Sequence, residues 1–431
     1  MEKKPIKELL QNKRKPMTSK KKKIIQNVSY VIFFLAVTVL AITLILSYDD
    51  ISIISKTFSG IALGSNWAWL LLAIVFAIFY FILYPTSLNV YAHALKSEST
   101  RGETYLIGAS EIFYNGITPS AVGGQPFQIY ALSSRNVPSD KASGMILMNY
   151  ITFILSTNIY ALISLIYYPH YLGALEKLNL TSLKWVAVTG FILNVLNLVI
   201  CLMLGLSKHL KVLLIKLLTF LCKPKWINKH FGKLIPRFSE YCENTQGAFK
   251  ELVSHRKHFI FAFLDKMLTM FCYYAIPFFI LKAVNIPVGA ENFFPVFFGT
   301  SFAITCIAWL PTPGGTLGIE YAFSIVITSV LQSVDSSYVM DNVQAVTLIW
   351  RSLTFYLLLI LSFAESAWFQ ALSSRRIKKE ERILELSENE EGAESLNQPS
   401  NEAANKEPAV DKNEVTPNSD IGGQINERNQ Q

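Results

Sequence analysis

Charge is scarce in this sequence. Only 16% of its 431 residues are Asp, Glu, Lys or Arg, while 51% are apolar and the mean hydropathy is +0.33. Soluble domains carry about a quarter charged residues. The shortfall excludes a nucleic-acid-binding module and an intrinsically disordered protein as descriptions of the whole chain, and argues against an ordinary soluble enzyme. Paired cysteines are missing as well. Cys201, Cys222, Cys242, Cys272 and Cys306 are scattered, odd in number and without a Cys-x-x-Cys pair, which fits free thiols and neither a disulfide framework nor a zinc centre. His255 and His258 stand three apart with no third ligand in view, so no metal is expected. A nucleotide-binding loop is absent too, and no cofactor is implied.

What the sequence has instead is long apolar runs. Residues 28–47, 67–92, 142–168, 183–206, 258–283 and 343–372 are each about 20 residues or longer and mostly apolar, enough to cross a bilayer as a helix. The first follows a segment with ten Lys/Arg in 23 residues and is succeeded by Tyr48-Asp49-Asp50, with no small-residue cleavage site. It reads as an uncleaved span and not as a signal peptide. Two further regions are apolar but interrupted. Gly116-Ile117-Thr118-Pro119 and Gly123-Gly124-Gln125-Pro126 break 104–132, and Pro311-Thr312-Pro313-Gly314-Gly315 breaks 293–331. In the first region arms of about 13 residues make roughly 20 Å of helix, short of a hydrocarbon core of about 30 Å. Re-entrant hairpins or pairs of short spans are expected there, with kinked helices as the alternative reading. The fold class is therefore an all-α integral membrane protein with six full spans plus two re-entrant helical hairpins.

The net charge of +8 divides unevenly. Residues 1–379 carry +17 and the segment from Glu380 onwards −9. The positive excess lies in three places: the first 23 residues, the loop 207–257 with 11 Lys/Arg against 3 acidic residues, and Arg375-Arg376-Ile377-Lys378-Lys379. The positive-inside rule assigns all three, and both termini, to the cytoplasm. The organisation that follows is a basic segment 1–24, a polytopic membrane domain 25–372, and an acidic tail 373–431 expected to be solvated and disordered from about 387. The basic loop is expected to form amphipathic helices on the inner leaflet, near anionic head groups.

This orientation exposes a symmetry. A span, a hairpin and a span (67–92, 104–132, 142–168) recur in the same order and opposite direction as 258–283, 293–331 and 343–372. Both hairpins carry Pro followed by Gly-Gly: Pro119 with Gly123 and Gly124, Pro311 with Gly314 and Gly315. Inverted repeats with paired broken segments mark transporters whose site lies near the midplane. Irregular backbone at that depth survives only where it lines a protein cavity, and helix N-termini there favour an anion such as a phosphate.

Ionisable residues inside spans are costly and usually functional. Glu111 and Glu320 lie in the hairpins, Asp265 and Lys266 about two turns into their helix, Arg351 about two turns into the last span, and Glu365 near its cytosolic end. The expected site comprises Arg351 and the Gly-Gly tips on a lipid phosphate, with Glu320 or Glu111 holding the arginine or meeting a cationic head group. The competing reading is a structural Arg351–Glu320 pair. Lys266 is expected to snorkel towards the cytosol. Asn149, Asn158, Asn194 and Asn197 are read as interhelical hydrogen-bonding groups, and the aromatics near span ends as an interfacial belt.

Three stretches resemble one family. Gly123-Gly124-Gln125-Pro126 with Tyr130 and Leu132 is similar to its Gly-Gly-Glu-Pro motif, with Gln125 in place of the acidic residue. Leu310-Pro311-Thr312-Pro313-Gly314-Gly315-Thr316-Leu317-Gly318-Ile319-Glu320 is similar to its second signature, and Trp350-Arg351-Ser352-Leu353-Thr354-Phe355 to its last-helix arginine motif. The family is the lysylphosphatidylglycerol synthase transmembrane (flippase) domain, and the resemblance covers roughly 25–372. It implies a lipid translocase of the bacterial plasma membrane that moves an anionic or aminoacylated phospholipid between leaflets, contributing to surface charge and cationic peptide resistance. The implied site residues are Glu111, Pro119, Gly123, Gly124, Gln125, Pro126, Asp265, Pro311, Pro313, Gly314, Gly315, Gly318, Glu320 and Arg351. The implied partners are membrane phospholipids and a separate lipid-modifying synthase, with no nucleic acid; a homo-oligomer stays open. Two other functions remain open: phosphatidylglycerol lysyltransfer from lysyl-tRNA, which needs a soluble catalytic domain not visible among the polar residues after 372, and a membrane scaffold for envelope lipid synthesis.

Overall fold

A computed structural model describes residues 66–118, 121–167, 181–221, 234–307, 315, 318–332, 334–335, 337–338 and 341–396. The expected span 28–47, Cys222 and the motif residues Pro119, Pro311, Pro313 and Gly314 lie outside them. The chain divides into two compact units, Met1–Leu372 and Ser373–Gln431. The described part of the second, 373–396, is helical.

Helices account for nearly all the described residues, with no strand among them. In chain order they are α1 (Trp67–Leu83), α2 (Thr86–Ala94), α3 (Arg101–Ile117), α4 (Gly124–Ser133), α5 (Ser139–Tyr167), α6 (Thr181–Leu206), α7 (Lys208–Leu221), α8 (Leu234–Ser254), α9 (Arg256–Ala283), α10 (Phe293–Ile307), α11 (Gly318–Gln332), α12 (Asp341–Arg351) and α13 (Leu357–Leu396). A 3-10 turn (Ala290–Asn292) precedes α10, and a π turn (Ser352–Tyr356) joins α12 to α13. Six stretches are long and apolar enough to cross a membrane: Trp67–Ala94, Ser139–Ile166, Val188–Leu206, Arg256–Ala283, Ala290–Ile307 and Val343–Arg376. The chain is thus an all-α integral membrane protein.

Five of these stretches coincide with expected spans. The sixth, Ala290–Ile307, lies in the second interrupted region, where a hairpin or a pair of spans is expected, and is itself long enough to cross a membrane. Its apolar run is unbroken for 18 residues, and the Pro/Gly cluster begins only beyond Ile307. The partner helix α11 has 15 residues, about 22 Å. In the first interrupted region α3 has 17 residues and α4 has 10, so neither reaches about 30 Å alone.

Local chemistry sets the element ends. Thr100 caps α3: its hydroxyl accepts from the Glu103 N–H at 3.3 Å, and the Glu103 carboxylate accepts from the Thr100 N–H at 3.1 Å, a reciprocal capping box. Pro85 separates α1 from α2, since it offers no N–H to continue the ladder. The basic loop is helical over α7 and α8, as expected. Lys211 donates to Glu243 at 2.8 Å, and that hydrogen bond holds the exposed Glu243 carboxyl below its ordinary range. Gln246 caps the end of α6 by donating to the carbonyls of Leu204 and Ser207 at 2.9 and 3.0 Å.

Two apolar clusters order the packing. One gathers α1, α9, α10, α11 and α12 around Phe279, Phe297, Phe323 and Trp350. The other joins α2, α3, α4, α5 and α8 around Leu88, Ile107, Met145 and Phe249. Side chains such as Phe79 on α1, Ile192 on α6 and Leu264 on α9 stay exposed, as lipid-facing positions should.

Small residues let α5 meet α8 closely. A Cβ on Gly144 would lie 2.8 Å from the Ala248 Cβ and 3.1 Å from the Thr245 carbonyl, whereas one on Gly247 would meet nothing within 4 Å. Gly144→Ala should therefore destabilise the purified protein by about 1–3 kcal/mol. Gly247→Ala should stabilise it by about 0.5–1 kcal/mol through a less flexible unfolded chain. Thermal denaturation in detergent reads the two opposite signs; equal shifts would refute the packing.

Candidate functional site

The first polar centre is built around one carboxylate. Glu111 sits mid-way along α3 and is 6% exposed. Gln128 donates to one of its oxygens at 3.0 Å, and Gln125 and Asn115 donate to the other at 3.2 and 3.4 Å. Gln125 and Gln128 come from α4, so the short helix folds back and supplies amides to the charge on the longer one. A buried carboxylate without such donors would be strongly disfavoured.

The Gly-Gly pair makes this approach possible. A Cβ on Gly124 would stand 2.5 Å from the Glu111 Cγ and 2.7 Å from the Asn115 side-chain oxygen, and one on Gly123 would stand 2.5 Å from the Thr118 methyl. Their backbone N–H groups donate to Asn115 at 2.8 Å and Thr118 at 2.9 Å. Gly123 has an ordinary helical φ of −77°, so space and not conformational freedom calls for glycine here. Pro126 occupies the first turn of α4, where a missing N–H has no consequence. At the other end of the pair, Arg135, 2% exposed, bonds Glu103 at 3.1 Å with its guanidinium 4.8 Å from the Phe369 ring. The α3–α4 unit is therefore tied at both ends by polar groups.

The second centre contains Arg351, 2% exposed, whose Nε donates to the Glu320 carboxylate at 2.6 Å. Glu320 lies in the first turn of α11, just after Gly318. Gly315, at φ +69°, adopts a left-handed conformation that disfavours side chains, and its carbonyl accepts from Ile319 at 3.1 Å. The guanidinium also lies 4.6 Å from the Phe355 ring, while neighbouring Trp350 stacks on Phe323 at 4.2 Å. Arg351 ends α12 where the helix loosens into the π turn, a distortion frequent at functional positions. Of the two carboxylates expected to hold Arg351, Glu320 does so; Glu111 belongs to the other centre.

Asp265 and Lys266 meet the chain at the α1–α2 break. Asp265 accepts from the Thr86 hydroxyl at 2.6 Å. Lys266 does not snorkel as expected. It is 1% exposed, donates to the Tyr84 carbonyl at 2.5 Å, and sits 4.2 Å from the Tyr84 ring. The peptide group before Pro85, at the end of α1, thus supplies the acceptor.

Sequence reasoning missed Lys266 as a site residue, although a lysine deep in an apolar run is itself a signal. It also missed a half-open cavity of about 490 Å³ lined among others by Tyr80, Tyr150, Tyr273, Asn194 and Asn197. Asn197 donates to the Tyr150 hydroxyl at 3.0 Å, and Asn194 to the Thr305 carbonyl at 3.3 Å. These asparagines join helices, as expected, and also face the cavity. Tyr273 of the cavity lies 6.2 Å from the Trp350 ring, next to Arg351, and Tyr80 lies 5.6 Å from the Tyr84 ring that Lys266 contacts.

A family model described as "Lysylphosphatidylglycerol synthase TM region" matches residues 29–362, well over half of the chain. No curated protein and no solved structure matches it.

If Lys266 and Glu111 share one field, their substitutions should not add. A double-mutant cycle of Glu111→Gln and Lys266→Met, read by thermal stability, should give a coupling of about 0.5–3 kcal/mol; additive effects would show the two groups to be independent.

Proposed function

The chain belongs to the lysylphosphatidylglycerol synthase transmembrane-region family, and from that membership we propose that it moves an anionic or aminoacylated phospholipid between the leaflets of a bacterial plasma membrane. The observation that carries the reading is the cost of its interior. Glu111, Lys266 and Arg351 are all less than 7% exposed within or between helices apolar enough to span a bilayer. A protein that only had to stand in lipid would do so more stably with apolar residues at these positions.

The proposed path runs through the Tyr- and Asn-lined cavity. Its hydroxyl and amide groups would replace water around a head group, while the acyl chains stay in lipid. Charges of both signs stand near that cavity's tyrosines, Arg351 beside Trp350 next to Tyr273 and Lys266 on Tyr84 next to Tyr80, with Glu111 in the neighbouring centre, which suits a head group bearing both a phosphate and an ammonium. Rocking of the two inverted halves about this site would expose it to one leaflet and then the other. The close packing of α1 against α9, the leading helices of the two halves, supports such an arrangement.

The word "synthase" in the family description favours one second reading, a membrane partner of an enzyme that modifies lipids. Lipid analysis of a deletion strain separates the two. Lost outer-leaflet exposure with unchanged total aminoacyl-lipid supports translocation; a fall in the total supports a role in synthesis.

A direct test uses vesicles. Wild-type protein should carry a fluorescent phosphatidylglycerol analogue across the bilayer. The Arg351→Met/Glu320→Met variant removes both charges together and so leaves no buried charge unpaired. It should retain its melting temperature and lose translocation at least about tenfold, equivalent to about 1.4 kcal/mol on the barrier. Full activity in that variant would eliminate the pair from the mechanism.

A further inference from the structure

A second cavity, of about 430 Å³, opens where α2 turns into α3. It is separate from the Glu111 and Arg351 centres and is lined by different residues. Three basic side chains face it: His93 from the last turn of α2, Lys96 from the connection, and Arg101 from the first residue of α3. No carboxylate lines it. Among the described residues neither Lys96 nor Arg101 forms an ion pair. The nearest acid in the α3 turn, Glu103, is already engaged by Thr100 and Arg135. Lys96 and Arg101 thus line one concave site whose lining holds no carboxylate; Glu98, in the same connection, is exposed and is not among the residues that line it.

The polar groups around those charges are arranged and not merely exposed. Ser97 and Ser99 bond each other at 2.8 Å, and Ser99 bonds Thr104 at 2.8 Å, which holds the turn in one shape. Lys96 takes a left-handed φ of 48°, and the Ser97 N–H reaches back to the Ala92 carbonyl at 2.8 Å. This C-terminal turn usually takes glycine. The capping box of α3 satisfies the N–H of Glu103 and leaves the N–H groups of Arg101 and Gly102 at the positive end of the helix dipole. A Cβ on Gly102 would meet nothing within 4 Å, so that end of α3 is sterically open. Asn89, which also lines the cavity, has a buried side-chain oxygen with no hydrogen-bond partner, an acceptor available to a hydroxyl.

The geometry points to a binding site for a phosphate group, held by Lys96 and Arg101 with His93 at its rim, and with Asn89 placed to accept from a hydroxyl of the same ligand. Two sources share that chemistry: the glycerophosphate head group of a membrane lipid, and a free phosphate ester. The membrane is close, because α2 continues the apolar stretch Trp67–Ala94. The start of α9 adjoins the site, with the His93 and His258 rings 5.9 Å apart. Under the positive-inside assignment the site faces the cytoplasm. Occupation does not require that any lipid cross the membrane, so the site stands independently of the translocation reading.

The test is a binding measurement on the full-length protein in a neutral detergent, by isothermal titration. The probes are dioctanoyl phosphatidylglycerol, glycerol 1-phosphate, and dioctanoylglycerol as a phosphate-free control. Wild-type protein should bind one or both phosphate probes and not the control. Binding of both assigns the site to phosphate esters in general; binding of the lipid alone assigns it to a membrane head group. Lys96→Ala/Arg101→Ala should weaken binding at least about tenfold, as expected when two exposed charge contacts of about 1 kcal/mol each are lost. Both side chains are exposed, so the melting temperature should not move. The variant Asn89→Leu should weaken the binding of glycerol 1-phosphate, and less than the double variant does. Absence of phosphate-dependent binding to the wild type, or undiminished binding to the double variant, would overturn the proposal.

Discussion

A carboxylate buried within the thickness of a membrane must find hydrogen-bond donors inside the protein, because no solvent will supply them. Glu111 imposes that requirement on the first half of this chain. Its donors, Gln125 and Gln128, sit on a helix of only ten residues that reaches them by folding back against α3. The fold-back demands a tight reversal, the reversal demands Gly123 and Gly124, and their amides in turn need Thr118 and Asn115. The short α4 and the buried charge of α3 are thus parts of one hydrogen-bonded arrangement.

The other charges extend the same logic. On an unbroken helix each interior carbonyl already accepts one ladder hydrogen bond, so a helix end offers Lys266 a less encumbered acceptor. The interruption at Pro85 provides one in Tyr84. Arg351 lies where α12 gives way to a π turn, and its partner Glu320 lies just after the break that ends in Gly315. In each case a charge inside the apolar body sits beside a departure from regular helix. Regular helices alone would satisfy the backbone but leave nothing for these side chains.

Much of this was legible from the residues. Continuous apolar runs identify spans because a helix of fixed rise must cover a fixed thickness, and five of the described spans were found that way. The Arg351–Glu320 pair was within reach because only a handful of charges occupy the apolar segments. The end of α10 is less legible, because its apolar run merges with the Pro/Gly cluster that follows it. Lys266 was assigned to the interface because snorkelling is the usual recourse of lysine, and its actual acceptor lies 182 positions away on a broken helix. The cavity residues Tyr80, Tyr150 and Tyr273 come from three separate helices. Nothing in their local spacing distinguishes them from the aromatics of an interfacial belt.

The two polar centres and the cavity place charged, hydroxyl and amide groups inside a protein built from apolar spans, and the proposed translocation depends on them. The most direct measurement is translocation of labelled phospholipid by reconstituted Glu111→Gln protein, with its thermal stability followed in parallel. An isosteric amide preserves the size of the group while removing its charge. The account predicts a folded protein with lipid movement reduced to the level of protein-free vesicles; a folded variant that moves lipid as fast as the wild type would contradict it.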